Sequence, residues 1–151
     1  MAKTVIDREN FRVTFERSLA ASCAEVFDAW TRPEQITEWW DPTGARLVQC
    51  FVDLRPGGAF RFENDGHSIP FCGTYKLVEP PTKLVFEAQG SVGTVTLEAA
   101  GSQTRMSVTI QCTSREHMEQ LVKLGVHTNT DKTLDNLAAR LSAPVERFHV
   151  N

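Results

Sequence analysis

From residue 45 to residue 112 the chain keeps changing sides. Apolar and polar residues alternate with a period of two, in short runs cut by turn signals, and a helical period then takes over. A period of two sends alternate side chains to opposite faces of a strand. Short strands joined by tight turns pair antiparallel with their neighbours. The helix that follows must bury its apolar stripe, and the apolar face of the sheet is what it has to bury it against. That order predicts an α+β fold with an antiparallel sheet and a long C-terminal helix, and excludes a parallel βαβ architecture.

The runs are specific. Residues 45–54 are an apolar run with strand character, and Arg55-Pro56-Gly57-Gly58 is a turn with proline pre-set and glycine free to take positive φ. Residues 59–63 alternate, with Phe60 and Phe62 on one face, and Asn64-Asp65-Gly66 is a hairpin signal. Pro70 to Val78 is a strand whose Gly73 marks a bulge or a close approach, and Pro80-Pro81 ends it. Leu84 to Ala88 is a further strand; Val92 to Ala99 and Arg105 to Cys112 form a hairpin turned at Gly101-Ser102.

Ahead of these lies one more alternating run, with Phe11, Val13 and Phe15 on one face. Ser22-Cys-Ala-Glu25 is a capping box opening a short helix with Val26, Phe27 and Trp30 on one side. Thr31-Arg-Pro-Glu34 reads as a second box, with Pro33 in the first turn, where a missing N–H does no harm. Ile36, Trp39 and Trp40 then share one side of a second short helix. Helical neighbours point about 100° apart, so the adjacent tryptophans cannot both point straight inward. Either one packs under the helix while the other lines a cavity rim, or both plug the core.

After the strands, Thr113-Ser-Arg-Glu116 reads as a third capping box, and Gly125 breaks or bends the helix it opens. Leu134, Leu137, Ala138 and Leu141 fall at helical spacing within about 127–142, and Pro144 stops that helix. The expected arrangement is six to seven strands wrapped around that helix, with two short helices after the first strand. Residues 11–142 form a single domain, flanked by loose segments at 1–10 and 143–151.

A chain of 151 residues suits one domain with a core of its own. Its net charge of -3 and pI of about 5.8 come with no basic tract, which argues against nucleic acid. No run approaches the ~20 apolar residues of a membrane span, and the first ten residues lack the apolar stretch of a secretory leader. The expected location is cytoplasmic. There Cys23, Cys50, Cys72 and Cys112 stay reduced. Neither they nor His67, His117, His127 and His149 cluster as metal ligands do, so no metal, disulfide or cofactor is expected. His67 reads as a solvated loop histidine.

No G-x-S-x-G, H-E-x-x-H or phosphate loop occurs. The one candidate acid/base pair is His127 and Asp131, four residues apart on the last helix. Facing inward beside Thr130 and Tyr75 they would make a polar cluster in an apolar pocket. Facing outward they are a structural histidine and a solvated aspartate.

Three motifs in order bear a family resemblance. They are Ala24-Glu-Val-Phe-Asp-Ala-Trp-Thr31 with Pro33-Glu34 and Trp39-Trp40, then Asp53-Leu-Arg-Pro-Gly-Gly58, then Gly73-Thr-Tyr75 through Glu79-Pro80-Pro81-Thr-Lys-Leu84-Val85-Phe86; Leu134-Asp-Asn-Leu137 closes the series. Over residues 11–142 the chain resembles the START-like superfamily (SRPBCC, the birch-pollen-allergen or helix-grip fold), and within it the family of the activator of heat-shock-protein-90 ATPase. Relatives often carry a Gly-Trp pair in the final helix; here the stretch reads Gly125-Val126-His127-Thr128-Asn129-Thr130, leaving that end of a cavity more polar.

The resemblance implies a groove between sheet and helix that binds a small, largely apolar molecule. The residues expected to contact it are Trp39, Trp40, Phe60, Phe62, Tyr75, Phe86 and Thr130. A carrier or sensor ranks first. A chaperone-associated interaction module ranks second, because the chain lacks the additional domain of the eukaryotic activators. A cofactor-free cyclase or dehydratase, working through His127 and Asp131, ranks third. Monomer and homodimer are both compatible with this reading.

Overall fold

The computed structural model describes residues 3–65 and 69–141. Eight strands form one antiparallel sheet: β1 (Lys3–Asp7), β2 (Arg12–Leu19), β3 (Gln49–Val52), β4 (Ala59–Glu63), β5 (Phe71–Glu79), β6 (Lys83–Ala88), β7 (Ser91–Ala100) and β8 (Gln103–Gln111). The spatial order is β1-β2-β8-β7-β6-β5-β4-β3. Helices α1 (Cys23–Thr31) and α2 (Pro33–Trp39) carry the chain from β2 to the far edge at β3, and the sheet then meanders back until β8 lies beside β2. Helices α3 (Arg115–Lys123) and α4 (Val126–Leu141) follow, separated at Gly125 with φ +78°. This is the α+β helix-grip arrangement anticipated from the period switch.

The inner face follows the alternation. Val13, Phe15, Arg17 and Leu19 of β2, Phe60 and Phe62 of β4, Ser91, Gly93, Val95 and Leu97 of β7, and Thr104, Met106 and Val108 of β8 are all buried. The turn at Pro56-Gly57 closes with Gly58 N–H donating to the Arg55 carbonyl at 2.8 Å, and Gly57 has φ +84°. Gly73 is a close approach: a Cβ there would lie 2.0 Å from the Glu87 carbonyl oxygen and 2.7 Å from the Phe60 ring.

Several expectations need correcting. The segment 1–10 is not a loose arm, because Lys3–Asp7 pairs along β2. Five residues are too few to stand out by periodicity; they are held by the strand beside them. The sheet therefore has eight strands rather than six or seven. The run 45–54 contributes only Gln49–Val52.

The capping box at Ser22 and Glu25 is present, but the other two are not formed as expected. Helix α1 runs on to Thr31, whose hydroxyl donates to the Phe27 carbonyl at 2.8 Å, and the N-cap of α2 is Arg32 with no side-chain cap. At α3 the cap is Ser114, one residue later than expected, accepting from His117 N–H at 3.1 Å. The Asn64-Asp65-Gly66 turn falls partly, and His67 and the tail 143–151 wholly, outside the described residues.

The junction of α1 and α2 explains Trp39. In an unbroken helix the Ala29 carbonyl would accept from the N–H of residue 33, but Pro33 has none. The Trp39 indole N–H donates to that carbonyl instead, at 2.9 Å, with the ring wholly buried. At the other end of α2 the exposed carbonyls are met by α4. Thr133 Oγ1 donates to Trp40 O at 3.2 Å, and Asn136 Nδ2 to Asp41 O at 2.9 Å. Helix α4 packs against β2, α2 and α3.

Candidate functional site

Between α4 and the middle strands lies a cavity of about 250 Å³. Its sheet side comes from Phe71, Phe86, Ala88, Gly93, Val108 and Ile110, its helical side from Leu121, Val126, Thr130 and Leu134, and Trp30 and Trp40 wall one end. Asn129 also lines it and is exposed, so the cavity reaches the surface there. Among the described residues, none that lines it is ionisable.

Trp40 is the hub of the aromatic end. Its ring lies 5.0 Å from Phe62, 5.1 Å from Phe71 and 5.5 Å from Trp39, centre to centre. Trp30 stands edge-on to Trp39 at 4.9 Å, and its indole N–H points at the Met106 sulfur, 3.3 Å away. Such edge-to-face contacts add about 0.5–1.5 kcal/mol each beyond burial. Gly93 makes room for Phe86, its partner across the β6–β7 ladder: a Cβ on Gly93 would sit 2.5 Å from the Phe86 ring.

The expected contact residues divide. Trp40, Phe86 and Thr130 line the cavity. Phe60, Phe62 and Tyr75 line a separate crevice of about 10 Å³ against the same tryptophans, which is at most a single water's space. Trp39 lines neither. Burial pushes the Tyr75 hydroxyl's pKa up, and that of the Cys50 thiol up to about 11. Cavity residues that sequence reasoning passed over include Trp30, Phe71, Ser91, Leu121 and Val126; the strand expected from Val92 begins one residue earlier, and the parity of β7 then sets Ser91 with Gly93, Val95 and Leu97.

His127 and Asp131 do not come together, and neither lines the cavity. The Asp131 carboxylate accepts from Arg17 Nη2 at 2.8 Å and Thr4 Oγ1 at 2.5 Å, tying α4 to the first two strands. His127 Nε2 lies 3.4 Å from Thr128 Oγ1, and its Nδ1 is buried without a partner. Arg17 is only 6% exposed at its side chain and Asp131 34%, while Asp135 lies 3.6 Å from Arg17 Nε. Removing one member of a well-buried pair costs about 3–5 kcal/mol; with Asp131 partly wet and Asp135 nearby, Asp131→Ala is expected to lose about 2 kcal/mol. Urea unfolding of Asp131→Ala beside Asp135→Ala checks this. Equal stability of Asp131→Ala and the parent would show that the pair does not hold the helix.

Asp41 organises the corner beside Asn64. Burial alone would raise its pKa, but hydrogen bonds from Thr43 Oγ1 at 2.7 Å, Asn64 Nδ2 at 2.8 Å and Thr43 N–H at 2.8 Å hold it below the usual carboxylate value. All four cysteines carry free thiols. Among the described residues no three metal-ligating side chains converge, and no helix is long and apolar enough to cross a membrane.

A family model described as Activator of Hsp90 ATPase homolog 1-like protein matches residues 20–142. The fold is also similar to that of solved structures. One, from Rhodobacter sphaeroides, has a TM-score of 0.83 at 20% identity, covering 95% of this chain and 99% of that one. Another, from Mycobacterium smegmatis, has a TM-score of 0.80 at 20% identity with the same coverage. An Aha1 dimer from Colwellia psychrerythraea, solved in solution, has a TM-score of 0.72 at 16% identity, covering 87% of this chain and 96% of that one. No curated protein matches the chain.

Proposed function

This chain belongs to the family described as Activator of Hsp90 ATPase homolog 1-like protein, and from that premise we propose that it is a carrier or sensor of a small, largely apolar molecule held beneath α4. The observation that carries this reading is the cavity of about 250 Å³ walled by Trp30, Trp40, Phe71 and Phe86 and by aliphatic residues of β8, α3 and α4. An apolar cavity of 150 Å³ in another protein holds benzene, so by proportion this one suits about ten non-hydrogen atoms. At about −0.6 kcal/mol per atom such a ligand binds with a Kd on the order of tens of micromolar. The Asp131 carboxylate is committed to Arg17 and Thr4, which favours binding without turnover over cyclase or dehydratase chemistry. The proposed compartment is the cytoplasm.

Tryptophan fluorescence tests the reading, since two of the three tryptophans wall the cavity. Titration with two-ring aromatics is expected to shift and quench the emission, and titration with sterols, which exceed the cavity, to leave it unchanged. A flat response to every small aromatic overturns the carrier reading. The family description and the exposed Val48, Phe51 and Leu54 along and beside edge strand β3 favour a second reading, association with a chaperone. Its measurement is the ATPase rate of an Hsp90 chaperone with and without this chain, and no change at saturating ratios excludes it.

A further inference from the structure

We infer that the cavity selects a neutral aromatic ligand carrying a single hydrogen-bonding group, and that the Ser91 hydroxyl is the group that reads it. This rests on the carrier reading and specifies its ligand.

Ser91 is 8% exposed, lies at the first inward position of β7 and lines the cavity, and its Oγ has no well-formed hydrogen bond among the described residues. The polar group beside it is the Cys112 thiol, which lies outside good hydrogen-bond geometry and is a weak partner at best. Buried polar side chains in folded proteins nearly always have partners, so each exception needs an account. The other polar lining groups have one. Asn64 Nδ2 donates to Asp41, and the Thr133 hydroxyl shares its one proton between Asn129 O and Trp40 O. Thr130 is half-buried and Gln89 and Asn129 are exposed, so water reaches them. Among the described residues Ser91 is left as the one deep polar contact in an otherwise apolar, aromatic-walled space.

The charge of the ligand follows from the same wall. Among the described residues no Lys, Arg, His, Asp or Glu lines the cavity, and an ion stripped of water without a counter-charge is disfavoured far more than a neutral polar group. Fatty-acid carboxylates are therefore poor guests. A hydroxyl or carbonyl on a two-ring aromatic matches the volume, the rings and the serine together, because a hydroxyl both donates and accepts.

Equilibrium dialysis with naphthalene, 2-naphthol and 2-naphthoate at pH 7 tests this on the full chain. The parent protein is expected to bind 2-naphthol about fivefold tighter than naphthalene, and 2-naphthoate at least tenfold more weakly than 2-naphthol. In Ser91→Ala the naphthol-to-naphthalene preference is expected to fall at least tenfold. The unliganded Ser91→Ala protein is expected to melt about 2–4 °C higher, because an unsatisfied buried hydroxyl has gone. A merely structural serine would move the melting temperature the other way. Ser91→Cys, close in volume and weak in hydrogen bonding, reads the same preference if the alanine variant does not fold. An unchanged preference in the variant that folds overturns the role of Ser91 and leaves the carrier reading standing. Naphthoate binding as tightly as naphthol overturns the neutrality of the ligand. Failure of both naphthalene and naphthol to bind the parent overturns the carrier reading and this inference together.

Discussion

Trp39→Ala is expected to lose about 3–5 kcal/mol of stability, the range for truncating a large buried aromatic, while Trp40→Ala loses less stability and most of the ligand affinity. Trp39 is wholly buried, packs edge-on against Trp30, and supplies the donor for the Ala29 carbonyl. Truncation opens a cavity and strands that carbonyl in one step. Against a typical total of about 5–15 kcal/mol this leaves a marginal fold. Trp40 is half-buried and forms the cavity end-wall. Its loss is expected to cost about 2 kcal/mol and to weaken binding of a two-ring aromatic more than tenfold. Urea unfolding and dialysis on both variants make the comparison. Equal stability losses, or an unchanged affinity in Trp40→Ala, would contradict the division of labour between the two tryptophans.

Gly93→Ala is expected to weaken binding more than tenfold, at a stability cost of about 1–2 kcal/mol. The three atoms nearest to a Cβ at Gly93 all belong to the Phe86 ring, the closest at 2.5 Å. The ring has to leave the sheet, and the free space available to it is the cavity that it lines. The added methyl group thus acts through a displaced phenyl ring. Gly73→Ala is the control: its Cβ would lie 2.0 Å from a backbone oxygen of β6, which cannot swing aside, so stability falls and no selective change in affinity is expected. Unchanged affinity in Gly93→Ala would mean that Phe86 finds room elsewhere.

Much of this fold is legible in the chain because alternation and turn residues act locally. The Pro56-Gly57 turn, the break at Gly125 and the inward parity of Phe60 and Phe62 need no knowledge of distant residues. The cavity is a different matter, because it is the space left between elements. Phe86 was readable as an inward aromatic, but that it stands over Gly93 depends on the β6–β7 register. Asp131 showed a helical spacing to His127, but its partners Arg17 and Thr4 lie more than a hundred residues away. Spacing along one helix therefore suggested a pair that the sheet had already claimed. The Thr31 box failed for a related reason: Thr31 is still inside α1, held by its own hydroxyl on the Phe27 carbonyl.

The bond from Trp39 to the Ala29 carbonyl also makes two positions of the chain answer to one another in evolution. Pro33 is harmless at its own place, the first turn of a helix, but it takes a donor away from the helix before it. A lineage that acquires Pro33 while residue 39 is an indole loses nothing at Ala29. One that acquires it first carries an orphan carbonyl until a donor arrives. The less costly order of substitution is thus the tryptophan before the proline, and a later exchange of Trp39 for phenylalanine carries about 1–3 kcal/mol of unpaired carbonyl for as long as the proline remains.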